Sequence, residues 1–91
     1  MADVIITLKI MPQSPETDLS VIEAKAKTEI EKFGGEVGKV EQEPIAFGLK
    51  ALKLIFVSDE SKGGTDALEK EISMIEGVNS AEVTDVRRAI G

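Results

Sequence analysis

The spacing of apolar residues along this chain switches repeatedly between alternation and steps of three and four, and that switching leaves few folds open. The first segment, DVIITLKIM, is rich in β-branched residues and sets Val4, Ile6, Leu8 and Ile10 on one face, the pattern of a strand. PQSP breaks it. From about Thr17 the pattern changes: Leu19, Ile22, Ala26, Ile30 and Phe33 form the apolar stripe of an amphipathic helix. Thr17, Asp18 and Ser20 are each suited to cap its start, and Gly34-Gly35 supplies the left-handed residue that commonly ends a helix. Its other face is laced with Lys and Glu, including Glu23 four residues before Lys27, and reads as solvated.

A second strand is expected from about Glu36 to Ile45, with Pro44 suited to an edge or to the strand's end. GLKALKLIFVS reads as a third strand, and its apolar run from Leu52 to Val57 points to the middle of a sheet. DESKGG is a loop by composition, and Leu68, Ile72 and Ile75 mark a second helix from near Thr65 to Gly77. VNSAEVTDVRRAI begins as a strand and ends basic. The order β-α-β-β-α-β divides into two similar halves, which interlock when both crossovers are right-handed. The expected class is therefore α+β, a ferredoxin-like βαββαβ sandwich. It has a four-stranded antiparallel sheet, two helices on one face, and the first and third strands at the centre.

Length and composition narrow the function. The 91 residues make one domain, 1–91, with 42% apolar and 31% charged residues, an ordinary globular balance. Eleven basic against seventeen acidic residues give a net charge of −6, which repels a phosphate backbone, so direct nucleic-acid binding is not expected. Cysteine and histidine are absent, which closes thiol chemistry, histidine-based triads and the usual zinc sites. No cofactor or resident metal is expected, and no enzyme activity. The N-terminus lacks the basic region of a signal peptide and no stretch approaches a membrane span, so a cytoplasmic protein is expected; a monomer is expected as well.

Candidate sites divide into those with bland explanations and those without. Base stacking on a sheet of this kind needs aromatics on the central strands, and the chain offers only Phe33, Phe47 and Phe56. SKGGTD before the second helix is a plain loop rather than an anion cradle. Asp59, Glu60 and Asp66 lack the ligand spacing of a calcium loop. Two features resist dismissal: Phe47, an aromatic between Ala46 and Gly48 where the chain reverses, and the pair Arg87-Arg88 near the end of an acidic chain.

PIAFGLKALKL, VSDESKGGTDALEKEI and GVNSAEVTDVRRAIG together resemble the elongation factor 1-beta family in its short archaeal form, along the whole chain. The matching pieces are Ala46-Phe47-Gly48, Lys50-Ala51-Leu52, Gly64-Thr65-Asp66 and Val78-Asn79-Ser80. The resemblance implies a guanine-nucleotide exchange factor whose partner is the GTPase elongation factor 1-alpha, in its GDP-bound and nucleotide-free states. It implies that Phe47, with Gly48 and Lys50 beside it, inserts into the GTPase's nucleotide-binding domain. A basic residue near the C-terminus, here Arg88 with Arg87 next to it, then reaches toward the GTPase's magnesium and phosphates. Eukaryotic members carry Lys close to the very end, whereas this chain has Arg, a planar fork rather than a compact ammonium. The other reading of the same architecture is a small-molecule regulatory or dimerisation module, which would have no use for a solvent-facing aromatic at the hairpin.

Overall fold

A computed structural model describes residues 3–59 and 64–88. Four strands, β1 (Asp3–Pro12), β2 (Glu36–Pro44), β3 (Lys50–Asp59) and β4 (Val78–Arg88), form one sheet in the order β2-β3-β1-β4. All three pairings are antiparallel, and β1 and β3 are central as their apolar character requires. Two helices, α1 (Leu19–Phe33) and α2 (Asp66–Ser73), complete the βαββαβ order of a ferredoxin-like α+β sandwich.

The core lies between the sheet and the helices. On β1, Ile6, Leu8 and Ile10 sit directly across from Phe56, Leu54 and Leu52 of β3, so alternation on each strand brings six buried side chains onto one face. Ile22, Ala26 and Ile30 of α1 and Leu68 and Ile72 of α2 close over them in the same cluster. Gly35 is required by this packing: a Cβ there would stand 2.8 Å from the Phe56 ring and 2.9 Å from Ile30. Of the three phenylalanines, Phe56 is thus fully buried in this core and Phe33 packs against its margin.

Local signals set the element ends. Asp18 is the residue that caps α1, its Oδ1 accepting the Ser20 N–H at 2.9 Å. Gly34, at φ 102°, ends α1 in the left-handed conformation and donates to the Ile30 and Glu31 carbonyls. The Glu23–Lys27 pair forms on the outer face at 3.0 Å. α2 is shorter than its apolar spacing suggests: the helix ends at Ser73, and Ile75 packs on the core from the turn that leads to Gly77. Thr65 stands at the α2 N-cap but makes no capping bond, its hydroxyl turning instead to Glu69. Within the expected 59–64 loop, residues 60–63, and with them Glu60, lie outside the described residues.

Candidate functional site: two ends of one sheet

The connection between β2 and β3 is short, running from Ile45 to Leu49. Pro44 and Lys50 are the last paired residues, the Ile45 N–H donates to the Leu49 carbonyl at 2.8 Å, and the Leu49 N–H donates to the Ala46 carbonyl at 3.2 Å. The four residues Ala46–Leu49 form a reversal whose two central residues both have positive φ, 61° at Phe47 and 76° at Gly48. That is the signature of a type I′ turn, whose twist matches the flanking strands and whose first central position favours Asn, Asp or Gly. Phenylalanine there carries a cost: left-handed backbone is disfavoured by about 1–2 kcal/mol for an ordinary L-residue. The ring gains nothing in return within its own domain, since Phe47 is 93% exposed.

A shallow cavity of about 290 Å³ adjoins the turn, lined by Pro12, Pro15 and Leu19 on one side and Gln42, Gly48 and Lys50 on the other. The hairpin therefore leans on the β1–α1 connection, where a Cβ at Gly48 would meet Pro15 at 3.9 Å. Phe47, Gly48 and Lys50 belong to this one end of the molecule.

Arg87 and Arg88 belong to the other. They pair with Ile5 and Val4 of β1, which in turn face Val57 and Ser58 at the far end of β3. The ten residues of β3 separate the two ends, roughly 30 Å of extended chain, in a molecule 41 Å long. The structure thus brings Phe47, Gly48 and Lys50 together at one end and sets Arg87 and Arg88 at the other, on opposite faces of β4, and does not bring the two groups together. Arg87 reaches back to Asp85, Nε to Oδ2 at 2.8 Å, on an exposed surface.

Between the ends runs the sheet face that no helix covers. Register lays Glu36, Val57, Ile5 and Arg87 in one row across it, then Lys39, Ile55, Thr7 and Asp85, then Glu41, Lys53, Lys9 and Glu82. In the two rows nearer the arginines the central strands contribute uncharged side chains, Val57, Ile5, Ile55 and Thr7, between charged edges, whereas the row nearer the hairpin is charged throughout. There Glu43 accepts from Lys53 at 2.5 Å with Lys9 3.9 Å away, and Glu41 pairs with Lys39 at 2.9 Å. The hydrogen bond from Lys53 holds the Glu43 carboxyl below its usual range, and that from Lys39 does the same for Glu41. Among the described residues no group of three or more acidic side chains is arranged to hold a metal ion, and no helix is long and apolar enough to cross a membrane.

Sequence reasoning did not find a bulge in β4 near the arginines. Between the pairs Leu8–Val83 and Thr7–Asp85 one residue, Thr84, has no counterpart. Its trace in the sequence is the three-residue step from Val83 to Val86, where alternation would give two.

The sandwich as a fold is shared widely. The C-terminal domain of the MgtC protein from Mycobacterium tuberculosis, known as a solution structure, superposes with a TM-score of 0.64. That match covers 97% of this chain and 88% of that one at 12% identity, which bears on architecture alone. Sequence is more specific. The elongation factor 1-beta of Methanothermobacter thermautotrophicus is 48% identical over 97% of this chain and 98% of its own. That of Metallosphaera sedula is 43% identical over 97% of each. Residues 5–89 match the family model of the EF-1 guanine nucleotide exchange domain, a span that takes in both the hairpin and the two arginines. An exposed ring on a strained turn, carried by a sandwich whose sequence follows that model almost end to end, leads to one assignment: the chain belongs to the EF-1 guanine nucleotide exchange domain family.

Proposed function

We propose that this domain, acting as a unit over residues 1–91, promotes GDP release from the translation GTPase elongation factor 1-alpha, and its reloading with GTP, by gripping it at both ends of the sheet. The observation that carries this reading is Phe47: an aromatic side chain 93% exposed on a backbone conformation that phenylalanine disfavours. Strain retained at an exposed position is intelligible when a partner buries the group. The tight turn fixes the ring before contact, so little conformational freedom is lost on docking. A buried aromatic anchor of this kind commonly contributes about 2 kcal/mol or more when truncated to alanine.

Gly48 and Lys50 border the anchor, and Arg88 with Arg87 makes the second contact, directed at the magnesium and phosphates in the GTPase. Exchange then needs no covalent step. The factor favours a GTPase conformation that holds nucleotide poorly, and coupling is reciprocal: whatever weakens GDP through the factor weakens the factor through nucleotide. Incoming GTP therefore ejects it. The acidity of the chain, −6 overall, speeds encounter with a basic partner and argues against direct binding to RNA. A cytoplasmic monomer suffices for this role. The regulatory-module alternative is not favoured by the family assignment.

The test is release of fluorescent GDP from elongation factor 1-alpha with and without the domain. Wild type accelerates release; Phe47→Ala loses at least about thirtyfold of that acceleration while keeping its fold by circular dichroism. Undiminished exchange by Phe47→Ala would refute the anchor.

A further inference from the structure

The bulge in β4 lies three residues before Arg87, and the strand on either side of it keeps its pairing with β1. Before it, Ala81 and Val83 stand opposite Ile10 and Leu8 on the helix side of the sheet. After it, Val86 and Arg88 stand opposite Ile6 and Val4 on that same side, while Asp85 and Arg87 share the open face and pair there. Two slides can erase a bulge. If the C-terminal part moved back, Asp85 would take the place of Val86, itself 57% exposed, opposite Ile6, trading a valine for a carboxylate at the rim of the helix side. If the N-terminal part moved forward, Val83 would turn to the open face and leave its partner in α2. That partner is Glu69, whose Oε2 accepts the Val83 N–H at 2.9 Å and whose Oε1 lies 3.3 Å from the Thr65 hydroxyl. The extra residue is thus held at Thr84 chiefly from its N-terminal side, through Glu69.

A trapped bulge bends and twists the strand that follows it. Nothing in the packing requires one here, since removing Thr84 would leave Val83 and Val86 on the helix side of a regular ladder with Arg87 and Arg88 on their present faces. We propose that the Thr84 bulge, clamped by Glu69, is a positioning device that aims the terminal arginines at the GTPase. The inference rests on the proposed arginine contact and adds that its direction, and not only its presence, is built into the fold.

Deletion of Thr84 is the direct test. The expected result is an intact domain, melting no lower than wild type, whose maximal stimulated GDP release falls about tenfold with little change in the concentration giving half-maximal effect. Glu69→Ala should show a smaller loss in the same parameter, and Glu69→Gln, which keeps an acceptor for the Val83 N–H, should recover it. In a chain carrying Arg87→Ala and Arg88→Ala, deleting Thr84 should cost nothing further, because the bulge acts through those residues. Full exchange by the double arginine variant overturns the contact on which the inference rests. An impaired double variant alongside a fully active Thr84 deletion, or a deletion effect that persists without the arginines, overturns the positioning role alone.

Discussion

The two ends of the sheet present their candidate contact groups by opposite means. At the hairpin end the geometry is local: four consecutive residues, two of them at positive φ, fix the direction of Phe47. At the arginine end it is distributed: Arg87 and Arg88 are placed by the pairing of β4 with β1, and the strand before them is held by a carboxylate from α2, 14 residues before the Val83 N–H it accepts. A local device is rigid and separable from stability; a distributed one shares its contacts with the fold. The hairpin end should therefore tolerate changes that separate function from stability cleanly, and the arginine end should not.

Phe47→Asn tests that separation most severely. Asparagine suits the first central position of a type I′ turn, so the variant should gain about 1 kcal/mol of stability, or roughly 4–8 °C in melting temperature for a domain of this size. Its stimulated GDP release should fall as far as that of Phe47→Ala. A less stable Phe47→Asn, by thermal melt, would show that the ring is not strained. Gly48→Ala comes next. A methyl group has room beside Pro15 but not the backbone conformation, so the expected loss is about 1 kcal/mol, with exchange reduced by less than in Phe47→Ala. Exchange kinetics equal to wild type would mean that the turn's shape is irrelevant to the anchor.

At the other end, Arg88→Ala should lower stimulated release several-fold, about 1 kcal/mol in activation free energy, while Arg88→Lys restores part of it as a simpler cation. Unfolding of Arg88→Ala in a urea titration would make the residue structural instead. The smallest effect belongs to the charged half of the open face. The Lys53 hydrogen bond depresses the Glu43 pKa in the folded state, so its contribution is present above the ordinary carboxylate value and is lost as pH falls through the depressed one. Glu43→Gln should then melt slightly lower than wild type at pH 7 and indistinguishably at pH 2 to 3. An equal gap at both pH values would remove the ion pair as its cause. Both groups are solvent-screened, so the gap is small.

Much of this architecture was legible beforehand because apolar period reports which face a residue buries. The alternation of Val4, Ile6, Leu8 and Ile10 and the stripe Leu19, Ile22, Ala26, Ile30, Phe33 map onto the core without revision. Apolar spacing alone overstates the length of α2, because Ile75 keeps helical spacing while its backbone has already turned toward Gly77; burial, not helicity, is what its position encodes. The oddity of Phe47 was visible in one line of sequence, since aromatics seldom occupy reversals.

By itself, then, the sequence determined the order of elements, the buried faces and the singular residue at the hairpin, all of which follow from neighbours a few positions apart. Only the tertiary structure decided that the ring is outward and left-handed and that the arginines stand at the opposite end of the sheet. It also decided that Thr84 has no counterpart in β1 and that Glu69 accepts the N–H of its neighbour Val83. Those facts depend on strand register and on contacts between residues far apart in the chain. Register is fixed by the whole core at once, so no window of sequence contains it.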